Sequence, residues 1–117
     1  MLLAVMGNPI AHSLSPAIYH AFAKQAELAC VCEKILVQDG QFNHCLAEFI
    51  QCGGVGTGIT VPLKTIAFEA MDECSLEAHE ACAVSMVHIH EDGKKIGERR
   101  YFLNPAFSSD SNRISKT

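Results

Sequence analysis

Residues 2–6 form an unbroken apolar run stopped by Gly7-Asn8-Pro9, and Ser15-Pro16 a few residues later has the form of a helix start. The run predicts a strand buried on both faces. A serine hydroxyl can accept from an orphan backbone N–H while the fixed φ of proline suits the first helical position. Ile18, Phe22 and Ala26 then recur at helical spacing, predicting a helix to about residue 28. This strand-to-turn-to-helix order repeats. Residues 31–37, rich in β-branched and aliphatic side chains, predict a second strand. Asp39 or Gly40 then opens a helix in which Phe42, Cys45, Leu46, Phe49 and Ile50 form one apolar stripe, closed by Cys52-Gly53-Gly54. Residues 56–61 predict a third strand stopped by Pro62, followed by short helices over 63–71 and 75–81. Residues 83–90 predict a strand, and Asp92-Gly93 a tight hairpin turn into a return strand from Lys95. Such alternation predicts a three-layer α/β/α domain with a mixed, mostly parallel sheet, the hairpin adding an antiparallel edge.

A chain of 117 residues that is 49% apolar has the size and core of one domain. The expected domain covers residues 1–103, with a polar, serine-rich and disordered tail over 104–117. A net charge of −4 lacks the basic excess that a phosphate backbone demands, so nucleic acid is not an expected partner. No apolar run reaches the ~18–20 residues needed to span a bilayer, and no basic n-region precedes residues 2–6. The expected address is the cytoplasm, with no membrane association. The six cysteines, mostly within apolar periodic segments, read as reduced thiols. Cys30 with Cys32, His79 with Cys82, and His88 with His90 lack the paired spacing of a zinc module, so no metal is expected. On an alternating strand His88 and His90 point the same way, which fits a solvated face at least as well as a ligand pair.

Two clusters carry possible chemistry. The first, residues 7–16, joins the first strand to the first helix, where α/β sheets bind ligands at the carboxyl ends of strands. Ser13 and Ser15 could there hold a carboxylate, or be only a turn residue and a helix cap. The second is Gly56-Thr57-Gly58-Ile59-Thr60-Val61-Pro62-Leu63-Lys64. If the first and third strands are neighbours, Thr60 and Lys64 lie at the mouth of the same sheet. A lysine so placed is either a general acid/base or a solvated surface cation.

Residues 7–16 resemble the G-x-P-I-x-H-S-x-S-P signature of shikimate dehydrogenases, and residues 56–64 are similar to the G-x-N-V-T-x-P-x-K segment of that family. The resemblance covers about residues 2–97 and implies the substrate-binding, aminoacid-dehydrogenase-like N-terminal domain. It implies that Ser13 and Ser15 bind the substrate carboxylate, that Thr60 contacts the substrate, and that Lys64 moves a proton at the reacting hydroxyl. The implied ligands are shikimate and 3-dehydroshikimate, and the implied cofactor of the complete family enzyme is NADP.

There are departures from the pattern. Gly58 stands at the family asparagine of the second motif. Ser85, in Ala83-Val84-Ser85-Met86, stands at the asparagine of A-V-N-T, making it a weaker substrate contact. The family segment G-x-N-T-D-G is met by Gly97-Glu98-Arg99-Arg100-Tyr101-Phe102, so the acid/base aspartate falls at Tyr101. No G-x-G-x-x-G leaves a strand for a helix, so the NADP-binding Rossmann domain is expected to be absent and no cofactor is expected to be bound by this chain. A resemblance that stops near Gly97 is what a truncated or frame-shifted reading frame would give. The sequence thus implies the substrate-binding half of a shikimate dehydrogenase, without catalysis by this chain alone. It could be completed by a cofactor-domain chain in trans or associate with itself. The alternatives are a non-catalytic shikimate- or quinate-type binding module and an inactive remnant.

Overall fold

The computed structural model describes residues 2–8, 31–60, 62–100 and, as backbone, 113–115. Among the described residues seven strands form one sheet: β1 (Leu2–Gly7), β2 (Val31–Leu36), β3 (Gly54–Ile59), β4 (Glu73–Ser75), β5 (Met86–Ile89), β6 (Lys95–Glu98) and β7 (Arg113–Ser115). Helices α1 (Phe42–Gln51), α2 (Lys64–Glu69) and α3 (Leu76–Ala81) connect them. The helix expected from Ser15 onward lies outside the described residues.

The strand order is β2-β1-β3-β5-β6-β4-β7. β1 pairs in parallel with β2 and β3, and β4 pairs in parallel with β6. β5 runs antiparallel to both β3 and β6, and β7 antiparallel to β4. Apart from β5 and β7 the strands therefore point one way, the mixed and mostly parallel sheet expected of α/β alternation. Leu3, Ala4, Val5 and Met6 are all buried, so β1 is covered on both faces as its apolar run demands.

The stripe on α1 turns Phe42, Leu46 and Phe49 inward, with Cys45 and Ile50 half-buried against the same core. Leu63 and Ala67 at α2, Met71, and Ala78 on α3 join them, together with Met6, Ile59, Val84 and Val87 from the sheet side. One core thus ties all three helices to the middle of the sheet. Gly54 opens β3 under the Phe49 ring, and any Cβ there would overlap that ring. The Asp92-Gly93 turn joins β5 to β6 as expected, Gly93 taking φ +88° at the left-handed position.

Three differences from the sequence expectation have physical causes. The hairpin is not the sheet edge, because β4 docks in parallel on β6 and β7 on β4. Both contacts are made between segments far apart in the chain. Arg113–Ser115 is a strand, in contrast to the unstructured tail expected there; the rest of 104–117 lies outside the described residues. His88 is 4% exposed, pairing within β5 against Gly56 of β3 and Ile96 of β6, so its face is covered and not solvated. No helix among the described residues is long and apolar enough to cross a membrane. None of the described cysteines Cys32, Cys45, Cys52, Cys74 and Cys82 is in a disulfide.

Candidate functional site

Strand direction decides what gathers where. β1, β2, β3 and β6 all end on one edge of the sheet, and antiparallel β5 begins there. Asn8 follows β1, Val37 and Gln38 follow β2, Thr60 follows β3, Ser85 precedes β5 and Arg99 follows β6. This is the edge at which an open α/β sheet presents its ligand crevice.

Thr60 is fixed twice to the neighbouring strand. Its backbone N–H donates to Met6 O at 2.9 Å and its hydroxyl donates to the same oxygen at 3.3 Å. Thr60 O accepts from Leu63 N–H at 2.9 Å, closing the turn that carries Pro62 and launches α2 at Lys64. Lys64 is half-buried, and its carbonyl accepts from Val84 N–H at 2.9 Å. The start of α2 is thereby held against the segment entering β5.

Ser85 is the pivot of that segment. Its N–H donates to Glu98 O at 2.8 Å and its carbonyl accepts from Ile59 N–H at 2.8 Å, bridging the ends of β6 and β3. The residue is 2% exposed, and its hydroxyl accepts from Arg99 Nη1 at 3.2 Å. Thr60, Lys64 and Ser85, singled out from sequence, therefore share one end of the sheet. Ser13, Ser15 and Tyr101 lie outside the described residues.

A cavity of about 360 Å³ opens at the same edge beside the ends of β1 and β2. Asn8, Gln38, Asp39 and Asn43 give it polar groups, while Phe42 and Leu63 supply apolar wall. A few polar groups on an apolar wall suit a small polar ligand. Among the described residues no group of three His, Cys, Asp or Glu side chains could hold a metal ion. The glycine-rich run 53–58 lies in and just before β3, with Gly54 covered by Phe49. It does not pass from a strand into a helix, so it is not a phosphate cradle.

Residues 5–87 match the family model described as the shikimate dehydrogenase substrate binding domain. The chain belongs to that family. It is 41% identical over 95 residues to the shikimate dehydrogenase (NADP(+)) of Nitrosococcus oceani, covering 81% of this chain and 34% of that protein. The crystal structure of shikimate dehydrogenase from Aquifex aeolicus superposes with a TM-score of 0.73 at 30% identity, over 84% of this chain and 36% of that one. The Thermus thermophilus shikimate 5-dehydrogenase, solved in complex with NADP(H) and shikimate, gives 0.70 at 31% identity over 84% and 37%. The chain thus spans about a third of the length of the relatives it matches, the part that forms their substrate-binding domain.

Sequence reasoning missed Arg99 as a neighbour of this site. The signal was its place in the segment after the hairpin, two residues past Gly97, in line with the family motif. Its contact with Ser85 follows from the β5–β6 register, in which Met86 faces Glu98 and Ser85 next faces Arg99.

Proposed function

We propose that this chain is the substrate-binding half of a shikimate dehydrogenase, holding shikimate or 3-dehydroshikimate at the carboxyl edge of its sheet. The observation that carries the reading is the convergence of Thr60, the start of α2 at Lys64, and Ser85 on one edge, beside the end of the strand from which Ser13 and Ser15 follow. Ser13 and Ser15 bind the substrate carboxylate on this proposal, and Thr60 and Ser85 orient its hydroxyls. Lys64 holds or moves the proton at the hydroxyl that is oxidised. When bound, NADP supplies the hydride acceptor. Among the described residues no glycine-rich loop passes from a strand into a helix, and on this proposal the nicotinamide is held by another domain or by a separate chain in trans. Val31 and Leu36, exposed at 62% and 47% on edge strand β2, offer apolar surface for such a partner or for self-association.

Gly58 and Ser85 bring fewer polar groups than asparagines would, and each hydrogen bond lost to a buried ligand group costs about 1–3 kcal/mol. The expected affinity is accordingly modest, and the setting is the cytoplasm. Calorimetry of the full chain with shikimate tests the proposal. Saturable heat is expected for the wild type and none for the Ser13→Ala/Ser15→Ala double variant. A folded wild-type chain that gives no heat at millimolar shikimate refutes it.

A further inference from the structure

Arg99 follows β6 directly opposite Ser85, and its guanidinium reaches back to donate from Nη1 to Ser85 Oγ at 3.2 Å. Guanidinium carries five N–H donors in a planar fork, and that bond uses one of them. Arg99 is half-buried, and no carboxylate forms an ion pair with it among the described residues. The next residue, Arg100, shows the contrast: it is exposed and paired with Glu77 at 3.2 Å. Glu98 precedes Arg99, and strand alternation directs the two side chains to opposite faces.

A half-buried cation with no carboxylate partner among the described residues favours a nearby anion, and a fork with spare donors beside a buried hydroxyl matches the geometry of an oxyanion. We propose that Arg99 and Ser85 form an anion-recognising subsite where β5 begins and β6 ends, on the same edge of the sheet as Thr60, which takes a carboxylate or phosphate group of the ligand. The subsite lies on the far side of Ser85 from Thr60, whereas the loop bearing Ser13 and Ser15 leaves from β1, two strands away in the order β1-β3-β5. It therefore selects a ligand with an acidic group at this end, a second one where that loop already holds a carboxylate, so shikimate with its single carboxylate leaves the subsite to hydroxyl contacts alone. The proposal needs the crevice to be a ligand site but does not need shikimate to be the ligand.

The test is an amide-resolved NMR titration of the full chain with inorganic phosphate and, separately, with acetate. Saturable shifts centred on Ser85 and Arg99 are expected with at least one of them, and the stronger binder identifies the acidic group. Charge-assisted bonds of this kind predict a loss of roughly tenfold or more in affinity in Arg99→Gln. Arg99→Lys should recover part of the loss, and Arg100→Gln should bind as the wild type does. Absence of saturable shifts at Ser85 and Arg99, equal affinity in Arg99→Gln, or an equal loss in Arg100→Gln overturns the subsite. Should Arg99→Gln unfold, Arg99→Lys beside Arg100→Gln decides, because weaker binding confined to the former still requires the fork. A shikimate titration run alongside keeps the two proposals apart: shikimate binding that survives while both anions fail removes only the subsite.

Discussion

Replacing Gly97 by alanine tests how the sheet holds the Ser85 segment in place. Gly97 lies in β6 between Val87 of β5 and Cys74 of β4. A methyl built on it would sit 2.6 Å from Val84 Cγ2 and 2.8 Å from Met71 Cγ, with Cys74 Sγ at 3.3 Å. The first two distances are below any normal carbon contact, and Val84 is fully buried and stiff at χ1, so it has little room to turn away. Overpacking of this kind costs about 1–3 kcal/mol, and with two close contacts the upper part of that range is expected. Urea unfolding of the full chain followed by circular dichroism measures it, read as a lower midpoint at unchanged slope. The companion variant Val84→Ala removes the nearer methyl at a cost of about 2 kcal/mol from lost burial and cavity. The double variant should then be more stable than the sum predicts by about 1 kcal/mol or more, since the two sites touch. A loss below about 0.5 kcal/mol in Gly97→Ala, or additivity in the double variant, refutes the packing argument.

Ser75 caps α3, its Oγ accepting from Ala78 N–H at 3.1 Å, so Ser75→Ala should cost about 1 kcal/mol in the same unfolding assay. Cys82 ends α3 in the left-handed region at φ 51°, an arrangement that costs a side-chain-bearing residue about 1–2 kcal/mol, so Cys82→Gly should raise the unfolding free energy by a net of about 0.5–1 kcal/mol, read as a higher urea midpoint.

Much of the fold was written locally. The stripe of Phe42, Leu46 and Phe49 declares α1 because an amphipathic helix needs nothing more than its own spacing to be read. The Asp92-Gly93 turn declares its hairpin because the required φ is available to glycine. β4 was missed: Glu73-Cys74-Ser75 is too short to show alternation, and its strand character comes from β6 and β7 on either side. His88 was read on a solvated face and is buried in β5, while His90 lies just past the strand end and is half-buried. Periodicity reports which residues share a face and is silent on what covers it. At the site, Thr60 and Ser85 were legible through motif positions next to strand ends. Arg99 was visible as a motif position two residues past Gly97, but its contact with Ser85 depends on the cross-strand register of β5 and β6.

The central claim is that the edge formed by the ends of β1, β3 and β6 and the start of β5 is a ligand crevice for a polyhydroxy acid. An amide-resolved NMR titration of the full chain with shikimate tests it most directly. Saturable shifts concentrated at Asn8, Thr60, Lys64 and Ser85 are predicted, with β2 residues 31–34 at the opposite end of the sheet unmoved. Shifts centred away from this edge, or none in a chain whose spectrum shows it folded, would contradict the account.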